Sequence, residues 1–242
     1  MTGARTRLVG RALGVVRPIL VDKVERDHQQ TDRAFRHRRV VVAVTLVVGA
    51  TLLGLSFATE QGDPVFYALT FGLAATWAVG SFVSGPLHLG HIQILGALRR
   101  PVITPVLVGL ALAAVFVVGA LVMREIPPLA AFAESVLGYA RAGSLPLLLV
   151  ITLVNGIAEE LFFRGALFAA IGRRRPVLIS TVVYALATVA GGNPVLVFAA
   201  VVLGVVVGLQ RRAGGGVLAP ILTHITWSTT MLLVLPQIFP GG

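Results

Sequence analysis

Apolar residues in this chain gather into seven runs, at 40–58, 65–84, 102–123, 146–171, 177–191, 195–210 and 217–238. At ~1.5 Å per helical residue, most of these runs are long enough for a hydrocarbon core of ~30 Å. Within lipid each backbone N–H and C=O has to be paired inside its own segment, which an α-helix achieves. The expected fold is therefore all-α, a polytopic transmembrane helix bundle of about seven spans, with six or eight as the neighbouring readings. The fifth and sixth runs are short and share the break Gly191-Gly192-Asn193-Pro194. Composition agrees: 56% hydrophobic and 12% charged residues, with mean hydropathy +0.90, lie well outside the soluble globular range.

Charge distribution sets the expected orientation. Seventeen of the 20 Lys and Arg fall in residues 1–39 or in the 85–101, 172–176 and 211–216 segments, whereas Arg124 and Arg141 lie in alternate segments. The positive-inside rule then predicts a cytoplasmic N-terminus and, after seven passes, an external C-terminus. The net charge of +10 is explained by this topology, and no compact basic domain or aromatic platform points to nucleic acid. The chain divides into a basic cytoplasmic tail, 1–39, and a transmembrane domain, 40–242. Leu8, Val9, Leu13, Val16, Leu20 and Val24 among arginines suit either an interfacial helix on anionic lipid or a solvated tail. The tail does not read as a cleavable signal peptide, because Arg17 and Pro18 interrupt its best apolar stretch. Residues 124–145 read as a short surface helix covering the bundle. With zero cysteines, disulfides and thiolate metal sites are excluded.

One run carries charge where lipid should be. Glu159, Glu160 and Arg164 interrupt 146–171, and every other charge can be placed in a loop or tail. Ionisable groups at this depth cost about 2.5–3.5 kcal/mol each on insertion scales, so they mark a site facing a partner or a wet cavity. Glu160 and Arg164, spaced i,i+4, should pair on one helix face, while Glu159 points about 100° away and stays clear of that pair. Counting residues from the basic segments puts Glu159, Thr188 and His224 at one depth, with Ser228 a turn beyond His224. An unpaired carboxylate in such a layer suits a general base acting on water. On residue chemistry alone, a polar helix–helix contact or a proton-relay carboxylate remains equally open.

The same residues carry a family resemblance. Glu159-Glu160-Leu161-Phe162-Phe163-Arg164 resembles the EExxxR signature of the CPBP intramembrane proteases, the group containing the CAAX prenyl endopeptidases and bacteriocin-processing or immunity proteins. The family's second motif, an aromatic followed four residues later by histidine, aligns with Tyr184 to Thr188. Its third, histidine followed four residues later by asparagine, aligns with His224 to Ser228, and the likeness spans about 145–235. The resemblance implies that Glu159 is the base and His224 an oxyanion donor, with Glu160 and Arg164 shaping the site. Thr188 stands where the family's water-holding histidine would be, and Ser228 where its asparagine would be. Thr188 can hydrogen-bond water but cannot carry a proton as imidazole does.

Other chemistry fits less well. The family is often labelled metalloprotease, yet this layer offers a zinc ion only Glu159 and His224 with no second imidazole, so no cofactor or metal is expected. His88 and His91 sit near a loop boundary and read as interfacial, His28 and His37 as solvated. No HExxH, GxSxG or GxxxxGK[ST] string occurs, a His224–Ser228 dyad lacks oxyanion donors, and Gly214 to Gly216 reads as a turn. The resulting expectation is an endopeptidase of a bacterial-type plasma membrane that hydrolyses a membrane-associated peptide. The alternatives are a catalytically impaired relative that binds a peptide, lipidated segment or partner, and a small proton- or cation-coupled transporter.

Overall fold

In the computed structural model, residues 17–25, 28–94 and 97–239 are described. Eight helices account for most of them: α1 (Asp32–Phe57), α2 (Pro64–Ser84), α3 (Ile103–Met123), α4 (Pro127–Ala142), α5 (Leu145–Ile171), α6 (Pro176–Val189), α7 (Pro194–Gly214) and α8 (Leu218–Ile238). All seven apolar runs are helical. Six of these helices are long and apolar enough to cross a membrane; α6, at 14 residues or ~21 Å, is the exception. Outward-facing Ile103, Val47, Val115, Val118 and Leu186, each more than 60% exposed, form a surface suited to acyl chains.

Local chemistry fixes the helix ends. The Thr31 hydroxyl caps α1 by accepting from the Ala34 N–H, and the Asp63 carboxylate caps α2 by accepting from the Val65 N–H. This cap starts α1 eight residues before the apolar run, so Arg33, Arg36, Arg38 and Arg39 lie on helix rather than in a tail. Asn193 likewise caps α7, which places the Gly191–Pro194 break between two helices.

Glycines set the approach of neighbouring helices. A Cβ on Gly49 would stand 2.1 Å from the Trp77 ring, and one on Gly80 would stand 2.3 Å from the Thr45 hydroxyl, so α1 and α2 meet almost backbone to side chain. On the opposite flank Gly109 of α3 meets Thr223 and Thr226 of α8, and Gly204 and Gly208 of α7 meet Thr181 and Val177 of α6. Between these pairs runs α5, whose Phe162 and Phe163 pack on Trp77 and are almost completely buried.

The basic segments converge on one end of the bundle. The 88–91 loop bonds to the 214–218 turn through His91 N–H to Gly214 O, Val217 N–H to His88 O and Leu218 N–H to Leu89 O, and Arg39 reaches the Ala170 carbonyl. A Cβ on Gly216 would stand 2.1 Å from the Gly90 nitrogen and from the Leu89 carbonyl carbon. Gly216→Ala is therefore expected to destabilise the protein by about 1–3 kcal/mol through overpacking. Thermal unfolding in detergent measures it, with Gly119→Ala, where nothing lies within 4 Å of a new Cβ, as the control that should lose no stability. At the far end α4 forms the covering element that the sequence suggests, joining Ala133 and Leu137 to Ala120 and Phe239, while Tyr139 donates to the Phe57 and Thr59 carbonyls.

Four features depart from the sequence reading. A two-stranded antiparallel hairpin, β1 (Ile92–Ile94) and β2 (Ala97–Arg99), occupies the 85–101 segment, so the fold is nearly rather than wholly helical. Arg38 is buried against Gln30, Ser84 and the Pro86 carbonyl, and Arg211 is buried in the last turn of α7, so neither is a loop charge. His28 is not simply solvated: it stacks on His88 with ring centroids 3.8 Å apart. Burial, then the nearby Arg211 and Arg38 guanidiniums, hold His88 below its ordinary pKa, which favours the neutral ring in that stack. The interfacial segment read over 8–24 lies mostly outside the described residues, of which 17–20 form one helical turn.

Candidate active site

Halfway along, α5 changes its winding. Residues Leu161–Leu167 form a π segment immediately after Glu160, and π turns of this kind recur at functional sites. Glu160 is fully buried, and its Oε1 accepts from Arg164 Nη1 at 3.1 Å, the i,i+4 pair the spacing predicts. The same oxygen lies 2.8 Å from His224 Nδ1. An ionised carboxylate only accepts, so Nδ1 carries the proton and the other ring nitrogen is uncommitted by this bond. Arg164 is also fully buried; its guanidinium lies 4.5 Å from the Tyr184 ring centre, and its backbone carbonyl accepts from Arg211 Nε at 2.6 Å. Glu160 thus ties α5 to α8, and Arg164 ties it to α6 and α7.

Glu159 faces elsewhere, as the 100° helical step requires. Its Oε2 accepts from the Tyr184 hydroxyl at 2.5 Å, and it makes no bond to Arg164. Thr188, one turn further along α6, donates its hydroxyl to the Tyr184 carbonyl at 2.9 Å. Glu159, Tyr184, Thr188 and His224 line a single cavity of about 230 Å³ whose remaining wall is mostly apolar, including Trp77, Phe163, Leu203 and Trp227. Since a liquid water takes ~30 Å³ and needs two to four polar partners, the space and its polar groups suit several waters.

Of the seven residues singled out from sequence, four line this cavity and two, Glu160 and Arg164, stand behind it. Ser228 is not brought to it. Its hydroxyl lies 3.4 Å from the Ile225 carbonyl of its own helix, and the neighbouring Trp227 takes the place on the wall. Nothing in the motifs points to Trp77 or Leu53, because they lie on α2 and α1, far from the motif-bearing segment. The binding of His224 to Glu160 was equally hidden, since depth counting ranks residues along a membrane normal but not around it.

The donors do not suit a metal. Among the described residues no group of three or more His, Cys, Asp or Glu is placed to hold a metal ion, and Nδ1 of His224 is committed to Glu160. A catalytic zinc takes about three protein ligands and an open position.

Residues 141–230 match a family model described as type II CAAX prenyl endopeptidase Rce1-like. That segment contains α5 to α7 and most of α8, and the match bears out the resemblance to the CPBP and CAAX-protease group read from Glu159, Glu160 and Arg164. No curated protein and no solved structure matches the chain. With its long apolar helices, this is a multi-pass membrane protein, and its residues 141–230 are similar to the CAAX-protease group.

Proposed function

We propose that the protein is an intramembrane endopeptidase that hydrolyses a peptide bond of a membrane-associated substrate, using water activated by Glu159. The observation that carries this reading is the position of the Glu159 carboxylate: on the wall of a cavity, bonded to a phenol rather than to a cation. A base paired to Arg164 would have little affinity for a proton; Glu159 avoids that pairing because Glu160 takes it.

The chemistry follows from the groups in place. Tyr184 fixes one carboxylate oxygen of Glu159 and leaves the other to accept a proton from water. The oxygen of that water attacks the scissile carbonyl carbon, and the negative charge passes to the carbonyl oxygen, where His224, in the doubly protonated form that keeps its Nδ1–H on Glu160, stabilises it with its Nε2–H. Collapse breaks the C–N bond, and the proton held by Glu159 passes to the leaving amine. The products are one carboxylic acid and one amine per water consumed. Glu160 keeps the imidazole oriented, and the π turn of α5 supports the Glu160–Arg164 pair.

Topologically, the basic end of the bundle would be cytoplasmic by the positive-inside rule, giving a cytoplasmic N-terminus and an external C-terminus. A plasma-membrane location belongs to the same proposal.

The test is reconstitution of the full chain in lipid nanodiscs with a library of lipid-tethered and transmembrane peptides, with new termini read by mass spectrometry. Cleavage of at least one peptide class is the expected result; none, under conditions where the protein remains folded, contradicts the reading. Tyr184→Phe should lower turnover by about tenfold, within the range for a mispositioned general base, without shifting thermal stability by a comparable factor. An unchanged rate would remove Tyr184 from the mechanism.

A second reading is favoured by one observation, the Thr188 hydroxyl turned back onto its own helix. In a non-catalytic binding protein of the same architecture, wild type would be inert and Thr188→His would create cleavage.

A further inference from the structure

A second and larger cleft opens at the basic end of the bundle, away from the Glu159 cavity. It has a volume of about 1160 Å³ and is bounded by Lys23, Arg173, Arg175, Arg211 and Arg212, five cations against the single carboxylate of Asp32. The floor differs from the rim. Phe168, Val177, Leu178 and Val205 line it, and Leu178 and Val205 continue onto the lipid-facing surface, 56% and 42% exposed.

Two backbone features point the same way. The cleft receives the N-terminus of α6, a 14-residue helix that begins Pro176-Val177-Leu178 and has no side-chain cap, so its first N–H groups and the positive end of its dipole are turned towards the cleft. Arg175, immediately before it, has φ 47°, the only positive φ at a non-glycine among the described residues. Such a conformation at a residue with a Cβ is held by its surroundings at a cost, and it recurs at ligand sites.

We infer that this cleft binds the phosphate headgroup of an anionic phospholipid, with its acyl chains laid along the Val177, Leu178 and Val205 face. Phosphate is the anion that both a helix N-terminus and clustered guanidiniums accommodate. Free phosphate offers the same headgroup chemistry, but it would leave the apolar floor unused. Basic clefts between membrane helices at the cytoplasmic boundary are the expected setting for such lipids. Arg211 is already held by the Arg164 carbonyl and lies over the Phe168 ring, so Arg173, Arg175 and Lys23 supply the adjustable contacts.

The experiment offers the full-length protein, in neutral detergent, equimolar phosphatidylglycerol and phosphatidylcholine and counts retained lipid by native mass spectrometry. Wild type is expected to prefer phosphatidylglycerol by about tenfold or more, because clustered Lys and Arg side chains attract anionic headgroups and not zwitterionic ones. Arg173→Gln with Arg175→Gln, both exposed side chains, should bring the ratio towards parity. Arg99→Gln with Arg174→Gln, which removes as much charge from the same end but outside the cleft, should keep the preference. Parity in wild type overturns the inference, and so does an equal fall in both double variants, which would indicate diffuse surface charge. Displacement of phosphatidylglycerol by millimolar inorganic phosphate would overturn the lipid assignment in favour of a soluble anion.

Discussion

Replacing Glu159 by glutamine is expected to cut peptide hydrolysis by about 10²–10⁴-fold, the usual contribution of a positioned general base, while the bundle stays folded. The substitution keeps shape and volume, and the amide oxygen can still accept the Tyr184 hydroxyl that now lies 2.5 Å from the carboxylate. Only the ability to take a proton from water disappears. The loss should fall on kcat rather than KM, because Glu159 is assigned to the transition state and not to substrate binding. Turnover of peptide by the reconstituted variant, beside its thermal unfolding curve, gives both readouts. Wild-type turnover in Glu159→Gln would remove the base and with it the proposed route.

Arg164→Met is expected to act on stability first. Arg164 and Glu160 are both completely buried, and deleting one partner leaves the other as an uncompensated charge, a loss of about 3–5 kcal/mol. His224, also bonded to Glu160 Oε1, would then be the sole ionic partner of that carboxylate and would be drawn away from the cavity wall. Activity should therefore fall along with stability. Adding Glu160→Gln to Arg164→Met should recover much of the stability, because the orphaned charge is gone, but not the activity. Thermal unfolding of the two variants in detergent separates these effects. A single variant as stable as wild type would mean that the pair is not the tie between α5 and its neighbours.

The parts of this protein that could be read in its sequence are those governed by local periodicity. Apolar run length gave the seven helical runs of the bundle, and i,i+4 spacing gave the Glu160–Arg164 pair, because both depend on a single helix. Depth counting brought Glu159, Thr188 and His224 to one cavity through one further assumption, straight helices of similar tilt. What depends on rotation about a helix axis was not legible. Ser228 shares a face with His224 on paper, yet its hydroxyl lies against its own helix backbone. The π segment after Glu160 has no compositional signature, although it governs how α5 continues beyond the pair. Arg38 and Arg211 look like ordinary boundary charges, and only contacts from distant segments, the Pro86 loop for Arg38 and helix α5 for Arg211, bury them. The hairpin at 92–99 was missed because its strands are three residues each, too short for an alternating pattern to register.

Hydrolysis by this route requires water to reach Glu159 inside the bundle. Because the chain contains no cysteine, one introduced thiol can report on that directly. Thr188→Cys, on the cavity wall, and Leu186→Cys, 65% exposed on the outer face of the same helix, would be treated in lipid nanodiscs with a charged, membrane-impermeant thiosulfonate. Labelling of position 188 but not of position 186 is the predicted result. A thiol at 188 as unreactive as the one facing lipid would mean a dry cavity, in which the Glu159 carboxylate has no water to activate.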